Sequence, residues 1–509
     1  MVNKTLLSLC CFLIMGMVIF SGCTSEKKIA TPATVPVIKP VDGELYSPVC
    51  SSPVSGKLSE SPNFSSHFTA TELLTRPTSS SVTVSLVPKE TMEIFFEYGT
   101  SLGSYACQTP AVPVKAGSPV NITIQGLMPD TQNYYRTCYR VVGSTVYQCG
   151  PDHSFHTQRS SGSGFTFDIQ ADSHLDEHAS GELYNLTLAA ERADQPDFLI
   201  DLGDTSMTEK LPTKTTDAIR DRYLLQRSHL GTVGDSVPLF LVLGNHDGEM
   251  GYALGGKDNR LALLSLQFRK MYFPNPEPDA FYTGNSDNAK DTGLRQDYYS
   301  WQWGDARFIV LDPFWYTTSK PGGNTDGWAW TLGKTQYQWL KETLETKKAK
   351  YTFVFSHHLV GGAFPEARGG IEYASLYEWG GNNPDGSYGF DQHRPGWGVP
   401  IRQLLVENNV TAFFHGHDHL FARQELDGIT YQDVPQPATP GSPNPGAEYG
   451  YVSGTMLPSP GHLKITVGSE SARVDYIGSA LPGDKRNAAK NGAVVYTYTL
   501  LPWQISSGG

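Results

Sequence analysis

A series of apolar runs in the C-terminal part of the chain constrains its fold more than any other feature. The runs lie between residues 165 and 419 and read FTFDIQ, DFLIDLGD, VPLFLVLGNHD, RFIVLD, YTFVFSHH and VTAFFHGHDH. Strands that are almost continuously apolar are buried on both faces, and the segments between them, such as 181–194 and 335–348, carry apolar residues at helical intervals. This alternation predicts a layered α/β domain, which we place at residues 164–505.

Five of these runs end in clusters of Asp, Asn or His. The clusters are Asp172-Ser173-His174, Gly203-Asp204, Gly244-Asn245-His246-Asp247, His357-His358 and Gly416-His417-Asp418-His419. In open α/β sheets, ligands bind outside the carboxyl ends of the strands, so we expect the clusters to meet. Carboxylate, imidazole and amide groups together suit first-row metals such as Zn, Fe or Mn, and the ligands suffice for two ions. Two such ions can clamp a phosphoryl group.

In this order, the motifs D-x-H, G-D, G-N-H-D, H and G-H-x-H resemble those of the calcineurin-like metallophosphoesterase superfamily. A β module in front of them is similar to that of the purple acid phosphatase branch and its bacterial and archaeal relatives. The resemblance covers about residues 65–475. It implies a four-layer α/β metallophosphoesterase sandwich and an acid phosphatase-like hydrolase with two divalent or trivalent ions, drawn from Fe, Mn and Zn.

The resemblance also implies roles for single residues. Its two sets of metal ligands would be Asp172, His174 and His419 for one ion and Asn245, His357 and His417 for the other, with Asp204 as a bridge. His246 would contact the phosphoryl oxygen or protonate the leaving group, and Asp247 would orient His246. A metal-bridging hydroxide would attack phosphorus in line, with no covalent enzyme intermediate.

Strand alternation lets only one of His357 and His358 face the site, and the family pattern favours His357. We interpret His358 and His415 as side chains behind the ligands or as structural residues. The remaining histidines, among them His462, are interpreted as hydrogen-bonded structural residues.

The chain departs from the family's patterns after the Gly-Asp motif. Purple acid phosphatases place a metal-binding Tyr three residues after the Asp, and this chain has Met207 there. Many other calcineurin-like enzymes begin an Asp-Arg pair at the same place, where this chain has Met207-Thr208. We therefore expect no tyrosine-to-iron charge-transfer colour, and the identity of the metal pair stays open.

Three long inserts, at residues 207–235, 248–300 and 361–398, interrupt or follow the motifs. Inserts of this length over an active site are usually substrate loops or lids. One hypothesis is that a residue of the third insert contacts the group attached to phosphate, with four candidates: Arg368, Tyr373, Trp379 and His393. The alternative, and the better choice for any one of them, is inert cover.

Residues 65–158 contain short β-type runs at near-regular spacing, which predicts an all-β sandwich. The stretch 126–131, followed by Tyr134-Tyr135, resembles a fibronectin type III corner. Residues 160–164, SSGSG, are predicted to be a linker. Arg136 and Arg140 share one face of a strand, which we interpret as a solvated edge.

Four cysteines outside the leader, Cys50, Cys107, Cys138 and Cys149, allow three disulfide pairings. A hairpin with a Gly143-Ser144 loop places Cys138 opposite Cys149. Counting out from that loop makes them a hydrogen-bonded pair, whose side chains stand further apart, so the pairing stays open.

The first residues predict export. Lys4 precedes an apolar run at residues 6–20 that is short for a membrane span, and Ser21-Gly22-Cys23 follows. This ending resembles a lipobox. We predict a signal peptide at 1–22, lipidation of Cys23 as a membrane anchor, and a tether at 23–64. A plain signal peptide and secretion are the alternative.

The net charge of the chain limits the classes of partner that it is expected to bind. The chain has 39 Lys and Arg against 51 Asp and Glu, a formal net charge of −12, which disfavours a nucleic-acid partner. We predict an exported phosphoesterase that hydrolyses small-molecule phosphate esters. A phosphodiesterase of the same fold, acting on nucleotides or phospholipid head groups, is one alternative. The other is a cell-surface binding or adhesion protein with a degenerate domain, against which the intact ligand set argues.

Overall fold

The computed structural model describes residues 41–42, 57–176, 178–254, 259–290, 292–320, 327–346, 349–362, 368–442, 445–484 and 490–503. The predictions about the signal peptide, Cys23 and Cys50 lie outside these residues. Among the helices in the described ranges, none combines the length and the apolar character that a membrane span requires.

The predicted N-terminal all-β module is confirmed. Its strands are β1 (Val41–Asp42), β2 (Lys57–Glu60), β3 (Phe68–Thr75), β4 (Ser81–Pro88), β5 (Met92–Gly99), β6 (Cys107–Gln108), β7 (Val112–Val114), β8 (Val120–Gln125), β9 (Gln132–Val141), β10 (Val146–Cys149) and β11 (His153–His156). One sheet has the order β1-β8-β4-β3 and the other β2-β10-β9-β5-β6, with β11 paired to β9 and β7 to β5. Side chains from both sheets, such as Val84, Phe96 and Tyr135, fill the buried core between them.

The rest of the chain alternates strands and helices. The strands are β12 (Phe165–Gln170), β13 (Leu199–Asp201), β14 (Leu239–Leu241), β15 (Thr283–Gly284), β16 (Tyr299–Trp303), β17 (Ala306–Val310), β18 (Tyr351–Phe355), β19 (Ala412–His415), β20 (Leu420–Leu426), β21 (Ile429–Asp433), β22 (Thr455–Pro458), β23 (Gly461–Val467), β24 (Ala472–Gly478) and β25 (Ala493–Leu500). The helices are α1 (Gly181–Asp194), α2 (Thr216–Gly234), α3 (Asn259–Tyr272), α4 (Gly333–Thr346), α5 (Tyr377–Gly380), α6 (Phe390–His393) and α7 (Ile401–Glu407).

These elements form the predicted four-layer α/β sandwich. One sheet has the order β14-β13-β12-β23-β24-β25 and the other β15-β16-β17-β18-β19-β21-β20-β22. The two sheets pack face to face through an aromatic core that includes Phe167, Trp301 and Phe353. Helices α1 to α3 cover the outer face of the first sheet, and α4 to α7 cover the second. Both faces of the central strands are therefore buried, as their continuous apolar runs predict.

The direction of the central strands positions the site. Strands β12, β13 and β14 are parallel to one another, and so are β17, β18 and β19. Because parallel strands end at the same edge of a sheet, the loops after β12, β13 and β14 share one edge of the first sheet, and those after β18 and β19 share one edge of the second.

The β-sandwich packs against helix α2. Ala70 and Leu73 of β3 belong to the same buried cluster as Tyr223 and Leu230 of α2. The segment 160–164, predicted as a linker, is also held in place. The Ser161 hydroxyl and the Gly162 amide donate to Asp305, and the Ser163 hydroxyl donates to Asp130.

Cys138 and Cys149 form a disulfide. The predicted register of the hairpin is confirmed, since these residues are opposite each other on β9 and β10. The expectation that they form a hydrogen-bonded pair is wrong. The amide of Gly150 donates to Thr137 O, which makes the next pair along the strands the hydrogen-bonded one. The Cα atoms of the two cysteines are accordingly only 4.1 Å apart. Cys107 is also disulfide-bonded.

Candidate metal centre

The five predicted clusters lie at the ends of strands β12, β13, β14, β18 and β19. The chain turns sharply after β12, β13 and β19. The residues at these turns, Asp172, Asp204 and His417, adopt positive φ angles of 60°, 51° and 76°. Such angles are unfavourable for residues other than glycine and persist only where the surrounding structure holds them. The turns aim the side chains back over the strand ends.

Asp172, His174 and His419 form the first group of possible metal ligands, with ligand atoms within 4.8 Å of one another. Asp172 Oδ1 lies 3.3 Å from His419 Nε2 and 3.6 Å from His174 Nε2. Asp172 is fully buried, and neither its Oδ1 atom nor His174 Nε2 has a hydrogen-bond partner. Buried polar atoms are normally partnered, so unpartnered atoms that face one another fit a shared metal ion.

Asp204, His357 and His417 form the second group, again with ligand atoms within 4.8 Å. His357 Nε2 lies 3.5 Å from Asp204 Oδ2 and 2.9 Å from Asn245 Oδ1. His357 Nδ1 lies 2.9 Å from the carbonyl oxygen of Leu202, which can only accept a hydrogen bond. Nδ1 therefore carries a proton, which leaves Nε2 as the nitrogen that a metal ion could take.

Asp204 lies between the two groups. Its Oδ2 atom is 3.6 Å from His174 Nε2 of the first group and 3.5 Å from His357 Nε2 of the second. Its other oxygen, Oδ1, accepts a hydrogen bond of 2.7 Å from the amide of His246. Asp172 divides its oxygens in the same way, since its Oδ2 accepts from the amide of His417. Each carboxylate thus holds a neighbouring loop through a hydrogen bond to one oxygen, while its other oxygen faces the ligand groups.

Two glycines make room for these carboxylates. A Cβ atom on Gly244 would overlap the amide and Oδ1 of Asp204, and one on Gly416 would overlap Oδ2 of Asp172. The Gly in each motif is therefore explained by the close approach of the loops.

The electrostatics of the centre favour a bound cation. Burial opposes ionisation of Asp204, yet His357 and His246 hold its pKa well below its usual range. Burial also opposes protonation of His174, yet the nearby carboxylates of Asp172, Asp176 and Asp204 raise its pKa to about 12. The buried carboxylates thus remain ionised and attract positive charge to the point where the ligand atoms meet.

His246 faces a residue that the sequence did not single out. Its Nδ1 atom lies 3.0 Å from Oε2 of Glu209, which belongs to the first insert. The hydrogen bond with His246 lowers the pKa of Glu209 to about 2, so this carboxylate is ionised at neutral pH. The other ring nitrogen, Nε2, lies 3.2 Å from Asn245 Nδ2 and so faces the ligand groups.

The expectation that Asp247 orients His246 is wrong. Its carboxylate accepts hydrogen bonds from the amides of Ser206, Met207 and Gly244 and is therefore turned toward the backbone. Asp247 fastens the loop after β13 to the loop after β14, and Glu209 is the carboxylate that contacts the imidazole. No motif in the sequence pointed to Glu209; only its place in an insert next to the Gly-Asp motif was visible.

Comparisons with known proteins agree with this geometry. Residues 165–421 match the family model of the calcineurin-like phosphoesterases. The chain belongs to this family. Its fold is similar to that of PhoD, with a TM-score of 0.62 and 17% identity over 88% of this chain and 94% of that one. It is also similar to the purple acid phosphatase PPD1 from yellow lupin seeds, with a TM-score of 0.56 and 15% identity over 89% of this chain and 74% of that one. A search of curated proteins found no match.

Met207, His358 and His415 are buried near the ligand residues but belong to neither ligand group. Met207, in the place of the metal-binding Tyr, is buried, and its backbone amide donates to Asp247. His358 and His415 are buried next to the ligands, with ring Nδ1 atoms bonded to the carbonyl oxygens of Leu359 and Gly416.

The four substrate-contact candidates of the third insert occupy different places. Trp379 is fully buried in the core beneath α4 to α7, which excludes it as a contact. His393 stacks on Trp328 at 4.2 Å. Arg368 lies beside the second ligand group, where it donates to the carbonyl oxygen of His417. Of Arg368, Trp379 and His393, Arg368 is the one that the structure brings beside the ligand groups.

Proposed function

We propose that this phosphoesterase is an exported phosphatase that uses two metal ions to hydrolyse small-molecule phosphate esters. The observation that carries the proposal is the meeting of two adjacent ligand groups on either side of Asp204. The groups combine carboxylate, imidazole and amide donors, a set that suits Fe, Mn or Zn.

We assign one ion to Asp172, His174 and His419, the other to Asn245, His357 and His417, and both to Asp204. Bound there, two cations would neutralise the negative charge of a phosphate ester and activate water as the nucleophile. The unpartnered Asp172 Oδ1 and His174 Nε2 atoms are the structural support for this assignment.

In the proposed reaction, His246 is the residue that transfers a proton or binds the phosphoryl oxygen. Its Nδ1 atom lies 3.0 Å from the ionised carboxylate of Glu209, which holds the orientation of the ring. Its Nε2 faces the ligand groups, so it can bind a phosphoryl oxygen or protonate the leaving oxygen. Glu209 acts through His246 and is a positioning residue.

Export and a lipid anchor at Cys23 are part of the proposal. Disulfides persist mainly in oxidising compartments, so the bond between Cys138 and Cys149 supports a location outside the cytosol. Labelling with a radioactive fatty acid would test the anchor, because Cys23→Ala should abolish label incorporation and release the protein from membranes.

The proposed activity is tested with the purified chain after reconstitution with Mn, Fe or Zn. We expect two ions per chain and hydrolysis of p-nitrophenyl phosphate. Asp204→Asn should lower kcat by about 100-fold or more, because it removes the charge shared by both groups. Asp217→Asn, an exposed acid at the start of α2, is the matched control and should be unaffected.

The same assay separates the alternatives. Faster hydrolysis of bis-p-nitrophenyl phosphate than of the monoester would indicate a phosphodiesterase of the same fold. No bound metal and no turnover with any of the three metals would overturn the proposal and favour a binding protein.

A further inference from the structure

Another set of metal-ligand side chains lies on the outer face of the first sheet, beneath helix α1. Asp168 of β12, Asp194 at the end of α1 and His462 of β23 offer ligand atoms within 4.8 Å of one another. We propose that these three residues form an additional metal site, which takes Zn²⁺ or Mn²⁺ and fastens α1 to the sheet. The site is separate from the candidate metal centre and has no part in the proposed reaction.

The strand pairing brings these residues together. β12 and β23 are antiparallel, with Asp168 opposite Lys464. His462 lies two residues from Lys464 and therefore points to the same face of the sheet. Helix α1 ends at Asp194, whose carboxylate lies 3.0 Å from His462 Nε2 and 2.7 Å from Lys464 Nζ. A metal ion at this point would join three elements that are distant in the sequence.

The state of Asp168 is the independent observation that points to a ligand. Asp168 is fully buried, and neither of its carboxylate oxygens has a hydrogen-bond partner. His462 is also fully buried, and its Nδ1 atom is likewise unpartnered. Asp168 and His462 therefore both carry buried polar atoms whose bonding capacity is unused.

The charges around the cluster favour a divalent cation. Burial, together with neighbouring carboxylates, raises the pKa of Asp168 and of Glu191 well above the usual range, so a bound cation would have to displace their protons. With Asp168, Asp194 and Glu191 ionised, three negative charges would face the single positive charge of Lys464. Glu191 is fully buried and both of its carboxylate oxygens are unpartnered. The remaining charge of −2 equals the charge that a divalent ion supplies. Uncompensated buried carboxylates are strongly unfavourable, so binding would stabilise the fold.

The donor set selects the kind of cation. Two carboxylates and one imidazole suit Zn²⁺ or Mn²⁺ better than Ca²⁺ or Mg²⁺, which prefer oxygen ligands. Burial lowers the pKa of His462, which keeps its imidazole neutral and able to bind a metal. The Asp194 side chain is 17% exposed, so the cluster is accessible from the surface.

Metal counting on the full chain tests the site. The protein is stripped with a chelator, equilibrated with micromolar Zn²⁺, separated from free metal and analysed by mass spectrometry. We expect Asp168→Asn and His462→Gln each to bind one ion fewer per chain than the unmodified protein, with unchanged phosphoesterase activity. Asp475→Asn, a buried acid on the neighbouring strand β24, is the matched control and should bind as many ions as the unmodified chain.

The comparison is between variants, so its result does not depend on how many ions the candidate metal centre holds. Equal metal counts in all four proteins would overturn the site. If the cluster variants fail to fold, anomalous diffraction at the zinc edge from crystals of the unmodified protein decides. A peak between the three side chains at micromolar Zn²⁺ supports the site, and its absence, or a peak only at millimolar Zn²⁺, overturns it.

Discussion

At the scale of single residues, the candidate metal centre depends on carboxylates that each serve two purposes. Asp172 and Asp204 accept a backbone amide with one oxygen and face the ligand groups with the other. These bonds help hold Asp204 and His417 in left-handed backbone conformations, which cost on the order of 1 kcal/mol each. A substitution of either carboxylate would therefore disturb both the charge and the loop geometry.

The partner of His246 is the residue whose effect is simplest to isolate. Glu209→Gln keeps the size of the side chain but removes the negative charge that faces Nδ1 of His246. We expect kcat to fall about 10- to 100-fold, as for other outer residues that orient a functional group. Because the pKa of Glu209 is about 2, the carboxylate is ionised from pH 5 to pH 8, and the loss should be constant over that range.

Leaving groups show whether Glu209 acts through proton transfer. The loss should be larger for phenyl phosphate than for p-nitrophenyl phosphate, because the poorer leaving group needs the proton more. Glu209→Asp should recover part of the activity, and Glu182→Gln, at the exposed start of α1, is the control. An equal loss for both substrates would contradict a role in protonation.

At the scale of elements, helix α2 joins the two parts of the molecule. Arg227 of α2 is fully buried and donates hydrogen bonds to the carbonyl oxygens of Thr71 on β3, Ser85 on β4 and Tyr272 on α3. No carboxylate is among these partners, and burial lowers the pKa of Arg227 to about 9. The guanidinium serves as a hydrogen-bond donor to the backbone of three different elements.

Arg227→Met should destabilise the protein by about 2–4 kcal/mol. The substitution preserves most of the apolar volume but leaves buried carbonyl oxygens without donors, at about 1–3 kcal/mol each, offset in part by the charge no longer being buried. The free energy of unfolding, measured in urea, checks this. Arg220→Met, on an exposed face of the same helix, should change it by no more than about 0.5 kcal/mol. Equal effects of the two substitutions would show that the buried hydrogen bonds contribute little.

At the scale of the whole molecule, the β-sandwich and the four-layer domain behave as one packed body. Ala70, Leu73 and Val87 of the sandwich share a buried cluster with helices α1 to α3. The connection at 160–164 is short and hydrogen-bonded to both parts, through Asp130 on one side and Asp305 on the other. Buried apolar contact, more than the connecting segment, therefore holds the parts together.

Cleavage of that connection tests this description. Replacing residues 160–164 with a specific protease site should give a protein whose two parts stay together after cleavage, since the buried contacts do not depend on the peptide bond. Size-exclusion chromatography before and after cleavage is the measurement. Adding Leu73→Asp to the cleavable protein should separate the parts. Separation without that substitution would show that the β-sandwich is an independent module.

The layers of the fold and the places of the ligand residues could be predicted from the amino-acid sequence. Continuous apolar runs must be buried, and parallel strands carry whatever follows them to one edge, so the order of motifs was enough to predict where Asp172, Asp204 and His417 meet. Helix α1 could also be predicted, because apolar residues at helical spacing follow Ser180. In the structure the hydroxyl of Ser180 accepts a hydrogen bond from the amide of Leu183 at the start of this helix. The Cys138–Cys149 register followed from the hairpin.

The contacts between side chains of distant segments could not be predicted in this way and required the folded structure. Glu209 replaces Asp247 beside His246, because the path of an insert is set by packing and not by local pattern. Asp168 and His462 meet because antiparallel strands join the two ends of the domain, a pairing for which neither strand carries a local signal. The periodicity of apolar residues shows which face of a strand or helix a side chain lies on. Which side chain it contacts on another element depends on the register between the two elements, and that register is set by the whole fold.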